Sequence, residues 1–340
     1  MTGSFVLANV RPQGGAAKDI LIKDGVFAEI AEAGAAAPEG VEVVDGGGLL
    51  MLPGLVDAHT HLDKTLLGMP WYRNSVGDEL LEIIENERRM KTVLDIEPKR
   101  QSARQIRKSV GNGTTHIRTH VDIDTEHRLC GLEGVLASRQ AYRDVVDIEI
   151  VAFPQSGMLV RPGTVELLDE ALRQGADVVG GLDPSEVDRD PKGHLDTVFG
   201  LAERHGKPVD IHLHEPDMLG VFAIELIVER TRALGMAGKV TVSHGFCLGM
   251  VDERQLRKTG ETMARAGVHL MTKGGAASAA PPARELTDIG VNLCSGCDGV
   301  RDTWSPFGNA DMLDRAAIVS QRNGFTSDSG IELALDLCTF

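Results

Sequence analysis

Two histidines one residue apart, His59 and His61, end the apolar run Leu52-Pro53-Gly54-Leu55-Val56-Asp57-Ala58. In an extended chain, residues i and i+2 share a face, so the pair can present two imidazoles side by side at a strand end. Neutral imidazole is a ligand for Zn and Fe. Pro53-Gly54 marks the turn that leads into the strand. Taken alone, His-x-His is better explained by hydrogen-bonded core histidines. The reading therefore depends on whether other strand ends supply more ligands.

Several do. Arg118-Thr119-His120-Val121-Asp122, Ala152-Phe153-Pro154-Gln155, Asp210-Ile211-His212-Leu213-His214-Glu215, Val242-Ser243-His244 and Ser295-Gly296-Cys297-Asp298-Gly299 all close apolar runs. Of the 11 histidines, His59, His61, His120, His212, His214 and His244 lie on these segments. His116, His127, His194, His205 and His269 read as surface, loop or packing residues. Three imidazoles and a carboxylate can hold a divalent ion and leave a position open for water.

Strands alternating with helices must position these groups. The strand candidates are 52–59, 116–123, 147–155, 177–182, 208–214, 240–247, 268–272 and 291–295. Helical stretches fall at 77–95, 98–111, 132–144, 164–174, 193–205, 221–233, 252–266 and 283–288. Several end at a glycine that suits a C-terminal cap, as in His205-Gly206 and Ala266-Gly267. Eight such repeats predict an α/β fold of the (β/α)8 TIM-barrel type over residues 50–340, with functional residues at the C-terminal strand ends. Neither G-x-G-x-x-G nor G-x-x-x-x-G-K-[ST] follows the first strand. Residues 1–49 differ. They read as short strands around a Lys23-Asp24-Gly25 hairpin turn, a small β unit that makes half of a sandwich.

Composition limits the partners. The chain has 340 residues, 42% of them apolar but only 4% aromatic, so its core is aliphatic. A net charge of −15 disfavours a nucleic-acid partner. It fits a cytoplasmic enzyme of a small neutral substrate. No apolar run reaches the roughly 18 residues of a membrane span, and Met1–Ala8 lacks the pattern of a secretory signal. Five cysteines, an odd number, read as reduced thiols. Cys294-x-x-Cys297 has no second pair, so a structural role is the plainer reading.

Taken together, Leu52–Asp63, Arg-Thr-His-Val-Asp at 118–122, Val-Ala-Phe-Pro-Gln at 151–155, His-x-x-Glu at 212–215, Val-Ser-His at 242–244, and Asp298 followed by Trp304–Leu313 resemble the amidohydrolase superfamily. Within it the chain is most similar to the bacterial cytosine deaminase group, in its 5-methylcytosine deaminase-like branch. The resemblance implies one divalent metal ion, Zn2+ or Fe2+, held by His59, His61, His212 and Asp298. His214 stays open as an alternative to His212. It implies Glu215 as proton shuttle, His244 as the residue orienting the nucleophile and leaving group, and Asp298 as acceptor of the water proton. Gln155 would bond the amide side of the ring, with Phe153 and Trp304 packing against it. The expected reaction is attack of metal-bound hydroxide on C4 of a cytosine-type ring, with loss of ammonia.

Strand four lacks a lysine that could bridge two metals, which predicts a single ion. Lys64 reads as a solvated or substrate-side loop residue. Gly299 follows Asp298 where better-known members carry a second aspartate, so room and lower polarity are expected near ring position 5, compatible with a 5-methyl group. Alternatives are isocytosine, a creatinine-like ring or an N-alkylated triazine as the nitrogen heterocycle, or a non-catalytic barrel scaffold. The family continues past this point, whereas Leu337–Phe340 falls inside what reads as a helix. A chain cut short, or a homo-oligomer covering the open edge of the β unit, is expected.

Overall fold

The computed structural model describes residues 3–275 and 279–339. They form two compact units that divide after Gly54. The first holds β1 (Phe5–Pro12), β2 (Lys18–Lys23), β3 (Val26–Glu32), β4 (Glu42–Asp45) and β5 (Leu50–Met51). The strand order is β3-β2-β1-β4, with β5 pairing β1. Leu50 and Met51 thus extend the small sheet rather than open the barrel. Asp24 and Gly25 both have positive φ, 50° and 81°, as a tight hairpin between right-twisted strands requires.

The second unit is a barrel of eight parallel strands: β6 (Leu55–Thr60), β7 (Thr114–Asp122), β8 (Asp147–Phe153), β9 (Val178–Leu182), β10 (Val209–Leu213), β11 (Val240–His244), β12 (Val268–Thr272) and β13 (Leu293–Ser295). Strands β9, β10 and β11 are buried along their whole length. This explains why they read as continuous apolar runs without alternation. Helices α1 (Leu80–Val93), α2 (Pro98–Gly111), α3 (Cys130–Tyr142), α4 (Thr164–Gln174), α5 (Pro191–His205), α6 (Asp217–Ala233), α7 (Glu253–Ala266), α8 (Ala283–Ile289), α9 (Met312–Arg322) and α10 (Asp328–Asp336) complete the unit. Their ends follow local chemistry. Glu97 caps α2 through Lys99 N and Arg100 N, with Pro98 in the first turn. Asp252 caps α7, and Gly267 ends it at φ 64°. The core between helices and barrel is aliphatic, with Ile106, Ile117, Leu132, Ile150, Leu168 and Leu195 among its buried side chains.

The barrel closes where β13 meets β6. Asp298 N donates to His59 O at 2.7 Å, and Asp298 bridges Thr60 in parallel. Asp57 Oδ1 accepts from Cys297 N at 2.9 Å. At the same seam, Ser295 N donates to Leu337 O and Val56 N to Cys338 O, both at 2.7 Å. Helix α10 ends at Asp336, so Leu337–Thr339 form a turn that bonds to the first and last strands and are not the helix interior expected from their apolar run.

Gly296 lies tight in this seam. A Cβ there would meet His59 N and O at 2.5 Å. Gly296→Ala is expected to lower the unfolding free energy by about 1–3 kcal/mol, the range for overpacking. Gly200→Ala is the control. It sits on the exposed side of α5 with open space around it, and should raise stability by about 0.5–1 kcal/mol through helix propensity. Urea denaturation of both variants checks the pair.

Candidate metal centre

The C-terminal strand ends bring all six flagged histidines together. The rings of His59 and His61 are 5.4 Å apart, His59 and His120 4.0 Å, His59 and His212 4.5 Å, His59 and His244 4.9 Å, and His214 and His244 4.5 Å. Donor atoms of His59, His61 and His212 lie within 4.8 Å of one another, as do those of His59, His244 and Asp298. His214 belongs to neither group. Its Nδ1 and backbone N–H both donate to the buried Asp183 carboxylate, at 2.6 Å each. His244 and Asp298 have positive φ, 72° and 59°. Such strained backbone is concentrated at functional sites.

Hydrogen bonds settle which ring nitrogen of each histidine faces the centre. Ser243 Oγ donates its one proton to Asp210 Oδ1 at 2.6 Å, so it accepts from His59 Nδ1 at 3.0 Å. His61 Nδ1 donates to the carbonyl of His120 at 3.2 Å. Both Nε2 lone pairs therefore point inward, 3.7 and 3.4 Å from Asp298 Oδ1. Asp210 is itself held by Arg118 at 3.0 Å, which also binds Glu149 at 2.6 Å. Burial keeps His59, His120, His212 and His244 far below the ordinary histidine range, hence neutral. Burial would raise Asp298, but Lys273 Nζ, 2.7 Å away, holds it well below the usual carboxylate range.

Buried neutral imidazoles with unpaired nitrogens are costly unless something accepts their lone pairs. His59 Nε2 and both ring nitrogens of His212 and His244 have no hydrogen-bond partner among the described residues. These orphans, with a carboxylate kept ionised, suit a divalent cation. His59, His61, His212 and Asp298 could hold it, with His244 beside them.

Glu215 is fully buried. Its Oε1 accepts from the backbone N–H of Ser185 (2.5 Å) and Glu186 (3.0 Å), and its Oε2 has no partner among the described residues. Burial pushes its carboxyl up to about 7 despite those two N–H groups. Gln155 is buried, and its Oε1 accepts from Lys64 Nζ at 2.8 Å, which leaves its NH2 group to donate. Phe153 stacks on His212 with centroids 4.1 Å apart, so it braces that ring. Trp304 packs against the cluster of Ile84, Phe153, Leu182 and Val187, and its buried Nε1 is unpaired among the described residues.

Two expectations are corrected. Lys64 is not solvated: it is buried, 3.0 Å from Glu87 and Asp122 as well as bonded to Gln155. Burial alone would strip its proton, but Asp122 and Glu87 keep it charged. Gly299 does not open space. A Cβ there would meet Asp302 Oδ2 at 2.0 Å, so the carboxylate of Asp302 occupies the volume the missing side chain left. Lys64, Glu87, Asp122, Ser243, Lys273 and Asp302 escaped the sequence reading as site residues. The first and third had a signal, since Lys64 follows the histidine pair closely and Asp122 shares a strand face with His120. Glu87 on α1 had none. Cys294 and Cys297 lie outside the cluster. Cys294 bonds the Leu270 carbonyl, and burial pushes its thiol up to about 12.

Ser243 gives the orientation argument a test. Ser243→Ala removes the acceptor that fixes the His59 tautomer. Metal affinity of the folded variant is expected to fall about 10- to 100-fold, read by competition with a chelator, and the melting temperature should fall as well because His59 Nδ1 and Asp210 Oδ1 each lose a buried partner.

Known proteins share this fold. A crystal structure of N-isopropylammelide isopropylaminohydrolase from Burkholderia multivorans ATCC 17616 superposes with a TM-score of 0.95 and 46% identity, over 99% of this chain and 85% of that one. A 5-methylcytosine deaminase from Klebsiella pneumoniae, liganded with 5-fluorocytosine, gives a TM-score of 0.84 and 27% identity over 98% and 84%. The N-isopropylammelide isopropyl amidohydrolase of Pseudomonas sp. (strain ADP) is 33% identical over 285 residues, 82% of this chain and 70% of that protein. The sequence profile of the amidohydrolase family, whose members are metal-dependent hydrolases, matches residues 42–339, and the chain belongs to that family.

Proposed function

We propose that the protein hydrolyses an exocyclic carbon–nitrogen bond of a hydroxylated six-membered nitrogen heterocycle and releases an amine. The ring we favour is an N-alkylamino triazine of the N-isopropylammelide type. The observation that carries the hydrolytic reading is Glu215, a buried carboxyl pushed up to about 7 with one oxygen pinned and the other free. A group poised near neutral pH can give a proton to a ring nitrogen and take it back within one turnover. The likeness to the two N-isopropylammelide enzymes, at 46% and 33% identity, supports the triazine.

A divalent ion, Zn2+ or Fe2+, held by His59, His61, His212 and Asp298 would supply a water ionised near neutral pH. The remaining work belongs to the chain. Asp298, kept ionised beside Lys273, accepts the proton of the water. Glu215 protonates the ring nitrogen next to the carbon under attack, so negative charge does not accumulate on the ring. His244, neutral and unpaired, orients the nucleophile and the departing amine. The carbon–oxygen bond forms, the carbon–nitrogen bond breaks, and the proton lost from water leaves on the amine. Gln155 donates its NH2 to a ring oxo group, because Lys64 occupies its carbonyl oxygen. Trp304 Nε1 offers a second donor.

A second reading is deamination of cytosine or 5-methylcytosine, favoured by the likeness to the 5-methylcytosine deaminase. The same residues would serve, with ammonia as the leaving group. Purified, metal-loaded protein assayed for isopropylamine from N-isopropylammelide and for ammonia from both pyrimidines separates the two. The expected result is a kcat/KM for the triazine at least a hundredfold higher, and a preference for either pyrimidine would install the second reading.

The protonation state of Glu215 gives a signed pH dependence. The group must carry a proton to donate, so kcat/KM should decline as pH rises through about 7. Glu215→Gln should cost about 10²- to 10⁴-fold in kcat and abolish that limb, with metal content unchanged by elemental analysis.

A further inference from the structure

The volume over Gly299 is filled by a carboxylate whose ligand is not in the protein. Asp302 is only 6% exposed. Its Oδ1 accepts from Trp304 N and Ser305 N, both at 2.9 Å. Its Oδ2 lies where a Cβ on Gly299 would be and receives no hydrogen bond from any described residue. No cation lies within ion-pair distance of it among the described residues; burial raises its carboxyl above the ordinary range, and Lys64 opposes that shift. Asp302 also lines a cavity of about 300 Å³ together with Leu66, Tyr72, Arg73, Asn74, Arg301 and Ser305, none of them a residue of the metal centre. A nine-tenths-buried acceptor with a free oxygen set against Gly299, the residue after Asp298, points to a ligand donor.

Ring chemistry identifies the donor. The carbon under attack has two ring neighbours. One is the nitrogen that faces Glu215, which follows β10. With that nitrogen toward Glu215, the proposed binding mode turns the other across the barrel mouth toward Asp298 and Gly299, which follow β13. In a pyrimidine that second neighbour is carbon 5, bearing hydrogen or methyl, and it offers no donor. In an oxo-triazine it is a ring nitrogen, and the lactam form carries N–H. A buried carboxylate facing a C–H or a methyl is left unpaired, whereas one facing N–H makes a charge-assisted hydrogen bond.

We propose that Asp302, seated over Gly299, is a specificity-determining residue that accepts the ring N–H of an oxo-triazine and rejects pyrimidines at the same position. This deepens the triazine reading and rests on it. Sites built to bond a substrate N–H or O–H discriminate strongly against analogues that lack it, because the protein group is then stranded.

The test uses Asp302→Asn in the metal-loaded full chain. The amide keeps the Oδ1 acceptor for Trp304 N and Ser305 N but turns Oδ2 into NH2, a donor facing a donor. Turnover of N-isopropylammelide and 5-methylcytosine is measured alongside calorimetric binding of 2,4,6-trihydroxytriazine and thymine, the rings that hydrolysis leaves. The expected result is at least a tenfold loss in kcat/KM and in product affinity for the triazine. The corresponding pyrimidine values should stay the same or rise, and the melting temperature should stay within a few degrees of wild type. Equal loss for both rings, or unchanged triazine binding, would overturn the inference. If the wild type turns over neither ring, or prefers the pyrimidine, the substrate reading fails first. A wild type that prefers the triazine while the variant keeps the same ratio sinks only the role of Asp302.

Discussion

Closure of the barrel between its first and last strands is the constraint on which the site depends. His59 and His61 end β6, and Asp298 follows β13, far away in the chain. They meet because Asp298 N bonds His59 O, because Asp57 takes the Cys297 N–H, and because Gly296 lets the two backbones touch. A wider seam would pull the carboxylate away from the imidazoles. A parallel barrel has no free edge at this point to absorb such an error. The strained φ of Asp298 follows from the same geometry: the chain must turn sharply as it leaves the seam for the carboxylate to face inward.

The second organising fact is how the barrel mouth handles buried polarity. Two kinds of group are packed there without bulk water. His59, His120, His212 and His244 remain neutral because burial disfavours the charged ring, and the Nδ1 atoms of His59 and His61 are tied to Ser243 and to the His120 carbonyl. Charged groups persist only as a network. Lys64 and Lys91 share Asp122, and Glu87 completes the set, its carboxyl pushed up by burial and pulled back by Lys64. A lone ammonium at this depth would lose its proton. Within the network Lys64 stays charged and fixes the direction of the Gln155 amide.

These two features divide the labour between chemistry and selection. In the proposed reaction the histidines, Asp298 and Glu215 act on the carbon–nitrogen bond of the ring placed over them. In the same proposal Gln155, Trp304 and Asp302 select the ring by the pattern of donors and acceptors they present.

Much of this was legible in the sequence. The strand-to-helix alternation, the positions of His59, His61, His212, His244, Glu215 and Asp298, and their placement on strand ends all follow from local patterns, because a β-strand's period and a helix cap are short-range chemistry. The Thr164–Gln174 helix and the Val268–Thr272 strand carry the boundaries expected from sequence. What escaped was set by distance. Lys64 looked solvated because nothing nearby in the chain shows that Glu87 and Asp122 surround it. Gly299 looked like empty space because the residue filling it, Asp302, arrives through a turn that bonds its carboxylate to Trp304 N and Ser305 N. Local spacing determines which side chains share a face. Which of them meet across a closed barrel, and so which charges are paired and which volumes are filled, is decided only by the packing of the whole chain.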